Sequence, residues 1–206
     1  MKKSILLMCG IVVALWAKDY KVKITKDLPY VDVEVYGKIV RIQRIQDTNH
    51  KLRNSYIRTS RMTPPFYIQP FEPVKGVETY GELELLDFIK NKLNYDEGAL
   101  IDARIPKWFK MGTIPGAVNL PFSLFYAKEY KEDVLEYLGA QKQDGKWNFD
   151  KALTLVIFDN GPWDQQAVDE IKNLVKMGYP KEKIKYYRGG MQYWQILGLT
   201  TLKEGS

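Results

Sequence analysis

Hydrophobic positions along this chain change their period near residue 76. Upstream, Val31, Val33 and Val35 alternate with Asp32 and Glu34, a period of two that predicts a half-buried strand. Tyr36-Gly37-Lys38 marks a turn, and residues 39–46 resume as a second strand with Arg41, Gln43 and Arg44 at polar positions. Residues 47–50 form a polar loop. Residues 59–71 then hold three prolines and three aromatics, which predicts an extended segment packed on another surface and excludes a helix.

Beyond Gly76 helical and strand patterns alternate. Leu83, Leu85, Leu86, Ile89 and Leu93 make a helical stripe, and residues 99–101 a short strand ending at Asp102-Ala103-Arg104. Trp108 and Phe109 precede a turn at 112–116 and an extended piece at 117–120. A helix is expected over 131–138 and a polar connection over 141–150. Residues 153–158 (LTLVIF) form an apolar run too short for a helix, which predicts a buried strand. The turn residues Asp159-Asn160-Gly161-Pro162 end it. From Asp164, Ala167, Val168, Ile171, Leu174 and Val175 recur at helical spacing to about Met177. A last strand at 184–187 and a helix at 191–197, opened by Arg188-Gly189-Gly190, close the pattern. Such alternation predicts an α/β fold, a parallel sheet flanked by helices on both faces. A β-rich N-terminal extension (18–75) precedes this domain (76–206), with the boundary near Pro73 to Gly76.

Composition adds a location and removes several chemistries. Lys2 and Lys3 followed by an apolar stretch at 5–16 read as an export signal over 1–17, with Ala17 before the cut. The stretch falls short of the ~20 apolar residues that span a bilayer, so a periplasmic or otherwise exported protein without a membrane span is expected. The alternative is retention of this segment as an anchor. Removing Lys2 and Lys3 from the formal +6 leaves +4, spread without a polybasic run, which argues solvated surface charge and no nucleic-acid partner. Cys9 is the only cysteine and lies in the leader. A chain cut after Ala17 therefore has no disulfide, no thiolate metal site and no thiol catalysis. His50 is the sole histidine and sits in a polar loop, so no second imidazole can complete a metal site. No metal and no cofactor is expected.

The stretch 153–167 carries the functional question. Strand, tight loop and helix together aim backbone N–H groups at a ligand above the strand's C-terminal end. A nucleophile is expected at the first loop position, and this chain has Asp159 there.

Taken together, Leu100-Ile101-Asp102-Ala103-Arg104, the turn from Gly112 through Pro121 (GTIPGAVNLP), the strand and loop at 153–167, Gly178-Tyr179, the run from Tyr187 to Trp194 (YRGGMQYW) and Gly198-Leu199 resemble a rhodanese-type domain over about 76–203. The resemblance implies that a cysteine carrying sulfur as a persulfide belongs where Asp159 stands. The loop DNGPWDQQ further resembles that of an envelope subgroup with cysteines at the positions of both Asp159 and Asp164. The proline-rich run resembles the same subgroup's extension, with cysteines implied at Thr63 and Tyr67.

Sulfur transfer needs a polarisable thiolate that forms and releases an S–S bond, which a carboxylate cannot do. No His or Lys lies in the loop to act as a proton partner for Asp159. Loop N–H groups are expected to hold Asp159 ionised, with a pKa below that of a free Asp, while Asp164 caps the following helix. Two such charges would oppose an anionic substrate by a few kcal/mol at ~4 Å and an effective dielectric of ~20. The candidate binding loop is Asp159, Asn160, Gly161, Pro162, Trp163, Asp164 and Gln165. Asp102 and Arg104 are expected to pair with it and hold its shape, and Trp163 is its candidate contact anchor. The expected function is a non-catalytic binding or accessory module of the cell envelope, linked to sulfur metabolism, whose partner is an envelope protein or a small ligand. The alternatives are an enzyme or weak metal site built on Asp159 and Asp164, and a non-covalent carrier of sulfur compounds.

Overall fold

The computed structural model describes residues 20–127 and 130–203; the expected leader at 1–17, with Cys9, lies outside them. Strands β1 (Tyr30–Val35) and β2 (Lys38–Gln43) pair antiparallel with Val31 opposite Ile42 and Val33 opposite Val40. The turn between them places Tyr36 at φ +50° and Gly37 at φ +75°. Two successive left-handed residues make the turn whose twist matches that of the strands it joins. Val31, Val33 and Ile42 are buried, so the period-two pattern marks the inward face.

The main sheet is built from β3 (Glu78–Tyr80), β4 (Gly98–Asp102), β5 (Ala117–Asn119), β8 (Thr154–Phe158) and β9 (Ile184–Tyr187). Its order is β3-β9-β8-β4-β5, and every pairing is parallel. The helices are α1 (Glu82–Asn91), α2 (Pro106–Met111), α3 (Tyr130–Tyr137), α4 (Gln166–Lys176) and α5 (Gly190–Ile196).

Strand β8 shows why its sequence is apolar without interruption. Leu155 and Ile157 pack into one core with Val134 and Leu135 of α3 and Val168, Ile171 and Leu174 of α4. Val156 and Phe158 face the other way, into a second core with Leu85, Leu86 and Ile89 of α1 and Met191 and Trp194 of α5. A strand covered on both faces has no polar side to offer. Val31, Val33 and Ile42 of the hairpin belong to the second core, so the N-terminal segment shares the apolar interior of the sheet's α1–α5 face.

Several local expectations are corrected. Leu83 is 51% exposed and outside the α1 stripe, because it lies about 200° around the helix from Leu85; Phe88, one turn on from Leu85, is buried in its place. Leu93 falls beyond α1, in a 3-10 turn. Trp108 and Phe109 lie within α2, which opens on Pro106. The polar connection at 141–150 contains a hairpin, β6 (Gln141–Gln143) with β7 (Lys146–Asn148). Its turn, Asp144-Gly145, has both residues at positive φ. An Asp-Gly pair is itself a hairpin signal, but strands of three mostly polar residues show no hydrophobic period.

Because Ile42 is fully buried in the core shared with α1, Ile42→Ala should cost about 2–5 kcal/mol. Urea unfolding of the variant followed by far-UV circular dichroism and by tryptophan fluorescence should give one coincident transition. A separate early transition for the hairpin would show that it is not part of the cooperative unit.

Candidate functional site

Strands β4 and β8 are neighbours with Asp102 opposite Phe158, so their C-terminal ends bring residues 102–104 and the loop after β8 together. The loop from Asp159 to Gln165 sits where ligands bind in open parallel sheets. Its donors, however, are turned on itself. Asp159 is fully buried, and its two carboxylate oxygens accept the N–H groups of Gly161 (3.0 Å) and Ala167 (2.9 Å). Asp164 is 2% exposed and accepts from the backbone of Gln165 (2.8 Å) and Gln166 (3.4 Å), the Asn160 side-chain amide (2.7 Å) and that of Gln166 (2.7 Å). The Asp164 N–H donates to the Gly161 carbonyl at 2.9 Å. Helix α4 begins at Gln166, two residues later than expected, so its first N–H groups are shared between Asp164 and Asp159.

The loop is fastened from above by α5. Met191 and Gln192 donate backbone N–H groups to the carbonyls of Asp159 and Asn160, both at 3.0 Å. This close approach requires glycine: a Cβ on Gly190 would stand 2.5 Å from the Asp159 carbonyl oxygen and 2.6 Å from the Gly161 nitrogen, at a φ of +53°.

Asp102 and Arg104 bond to each other, through Arg104 Nε at 2.8 Å and Nη2 at 2.6 Å. Arg104 also donates to the Gly112 carbonyl (2.8 Å) and the Tyr56 hydroxyl (3.1 Å), and Thr113 donates to Asp102 at 2.7 Å. Arg104 reaches the loop only at the Asn160 side chain, by a long 3.4 Å contact, whereas Tyr56 donates to the same Asn160 oxygen at 2.7 Å.

The N-terminal segment covers the loop's outer side. Tyr67 and Gln69 donate backbone N–H groups to the carbonyls of Trp163 (3.1 Å) and Pro162 (2.8 Å). Phe66 meets the Trp163 ring edge-on at 5.1 Å, and the Arg61 guanidinium lies 3.6 Å over that ring. Trp163 Nε1 donates to Gln192 at 2.6 Å. Trp163 is therefore half-buried and held by four neighbours instead of projecting as a free loop tip. Its partners Arg61 and Phe66 carried no sequence signal beyond the extended, aromatic character of their segment, and Tyr56, which bonds Asn160, carried none. Gly190 was visible as half of a Gly-Gly pair, without its contact.

Electrostatics reverse the expectation for Asp159. Burial, and then the neighbouring Asp164 charge, raise its pKa well above the carboxylate range, outweighing the two N–H bonds and Arg104. Burial likewise raises Asp164. Glu170 on α4, fully enclosed, has no hydrogen-bond partner for either carboxylate oxygen among the described residues, and burial with Asp102 and Asp159 nearby pushes it well up. These upward shifts favour the neutral forms of the two loop carboxyls, which weakens the expected repulsion of anions. Among the described residues no group of three acidic, His or Cys side chains is placed to hold a metal ion.

A raised folded pKa means that Asp159 binds its proton more tightly folded than unfolded. Its contribution is present below the unfolded value of ~3.9 and is lost as pH rises through the folded one. Asp159→Ala should accordingly cost about 1–3 kcal/mol near pH 4, for the two N–H bonds lost, and less at pH 8. Paired urea denaturations at the two pH values check this; a cost that grows with pH would place the folded pKa below the ordinary value.

The Rhodanese-like domain family matches residues 84–197, just over half of the chain. A search of curated proteins finds no match. Among solved structures the chain is similar to a Bacillus halodurans protein at 19% identity, over 61% of this chain and 77% of that one, with a TM-score of 0.47. It is also similar to a rhodanese-related protein of Thermoplasma volcanium at 17% identity (62% and 99% covered, TM-score 0.42). A human single-domain sulfurtransferase is 24% identical (58% and 96% covered, TM-score 0.42). No helix among the described residues is long and apolar enough to cross a membrane. With its five-stranded parallel sheet and its matched segment, the chain belongs to the rhodanese-like domain family.

Proposed function

We propose that this chain is an exported rhodanese-like protein that binds a ligand or partner in the cell envelope and does not transfer sulfur. One observation carries the reading. At the end of β8, where the resemblance puts the sulfur-carrying cysteine, stands Asp159, fully buried and bonded to two N–H groups of its own loop. The N–H groups of Gly161, Asp164, Gln165, Gln166 and Ala167 all have acceptors within the loop. In the cradle that would hold a persulfide and its anionic donor, these donors are therefore occupied by the two loop carboxyls and the Gly161 carbonyl. A carboxylate forms no S–S bond, so the chemistry lacks its nucleophile as well as its donors. A role beside sulfur-handling proteins, as an accessory or a non-covalent carrier, fits the family without that chemistry. Export rests on Lys2-Lys3 and the apolar stretch at 5–16.

Thiosulfate and cyanide incubated with the purified protein should yield thiocyanate at the buffer rate. A rate that follows the protein through successive columns would overturn the non-catalytic reading. In cell fractions the protein should lie outside the cytoplasm with a new N-terminus at or near Lys18. Mass spectrometry finding the intact Met1 terminus in the cytosol would refute export.

A further inference from the structure

A cleft of about 460 Å³ opens between the N-terminal segment and the ends of β4 and β8, with Asn160 and Trp163 of the loop in its wall. That volume falls within the ~300–1,000 Å³ typical of small-molecule sites. Its charged lining is of one sign: Arg58, Arg61, Arg104 and Lys203 contribute, and no Asp or Glu does among the described residues. Arg104 is committed to Asp102. Arg58 and Arg61 are different, since neither makes an ion pair among the described residues. Arg58 is exposed, while Arg61 is laid on Trp163, gives Nη2 to the Ser55 carbonyl at 3.2 Å and keeps an enclosed Nε without an acceptor. Burial, and then the nearby Arg58 charge, lower the Arg61 pKa, outweighing the opposing pull of Tyr56 and Asp164. The remaining walls include Phe66, Trp108 and Met111, which are apolar.

We propose that this cleft binds a small organic anion, its acid group met by Arg58 and Arg61 and its apolar body packed against Phe66, Trp108 and Met111. The inference rests on the reading of the chain as a binding module and names the ligand class. An unpaired guanidinium prefers a carboxylate or a similar oxyanion, which its planar fork matches. A bare tetrahedral oxyanion would leave most of the cleft and all of its apolar wall unused. Arg58, Arg61 and Phe66 lie outside the family-matched segment at 84–197. The site is thus assembled by this chain's own N-terminal segment against the domain. It also leaves the buried loop carboxylates behind the wall.

Benzoate, its neutral analogue benzamide and sulfate serve as probes of the whole protein, by calorimetry and tryptophan fluorescence at constant ionic strength. Benzoate should bind saturably, with benzamide and sulfate each at least ten-fold weaker. Arg61→Gln should weaken benzoate at least ten-fold and Arg58→Gln at least three-fold, with benzamide unchanged. Arg58→Gln removes an exposed side chain without a hydrogen bond among the described residues, so its unfolding midpoint should match the wild type and separate charge from folding. Absence of benzoate binding, equal affinity for benzoate and benzamide, or benzoate affinity unmoved in Arg58→Gln would overturn the site. Sulfate binding as tightly as benzoate would overturn the organic ligand class. These outcomes leave the non-catalytic reading intact when no thiocyanate forms, whereas thiocyanate formation removes that reading whatever benzoate does.

Discussion

The Arg104 guanidinium is 1% exposed and reaches four separate parts of the chain: Asp102 at the end of β4, the Gly112 carbonyl in the following turn, Tyr56 in the N-terminal segment and Asn160 in the loop after β8. Assembling a buried ion pair brings little net stability, because desolvation cancels most of the attraction. Breaking one is another matter, since the partner left behind is a buried unpaired charge, at about 3–5 kcal/mol. The pair therefore acts as a constraint. Tyr56, Gly112 and Asn160 must stand where they do, or Arg104 loses donors it cannot offer to water. This constraint makes an otherwise irregular N-terminal segment a fixed wall of the cleft.

Beneath that pair lies an unusual concentration of acid. Asp159, Asp164 and Glu170 are all buried, and burial raises the pKa of each. Hydrogen bonds satisfy the first two, whereas Glu170 has none among the described residues. Burial, with added repulsion from neighbouring acids at Asp159 and Glu170, shifts each group toward its protonated form. Coupled groups of this kind release protons as a set, and the pH dependence of stability will report the set with Asp159 as one member.

Much of the fold was legible because its cause is local. The apolar run 153–158, the alternation at 31–35 and the α4 stripe each follow from which face is covered, and a two-faced sheet needs no further information. The hairpin at 141–148 was hidden because its strands are short and polar; its Asp-Gly turn was the only trace. At the site, the position of Asp159 was readable from the strand–turn–helix pattern, but the sign of its pKa shift was not. N–H bonds are implied by sequence-local geometry, whereas burial depends on α5 lying over the loop and on Gly190 permitting that approach. Likewise Arg61 and Tyr56 are more than 95 residues from the loop they meet, and without a period or motif nothing in their own stretch announces the contact.

The two halves of the site follow from one substitution of function for another within the same architecture. A parallel sheet's loop offers N–H groups at a strand end, and something must accept them. Here the acceptors are covalently part of the chain, so the loop has no need of an external anion and gains rigidity from its own carboxylates. Recognition then has to use surfaces the loop does not saturate. The adjoining surface is the cleft beside residues 54–66, where two guanidinium groups lack acid partners among the described residues and Phe66, Trp108 and Met111 give apolar walls. The chain's own acceptors close the cradle, and the cationic wall beside it is left in need of an anion from outside.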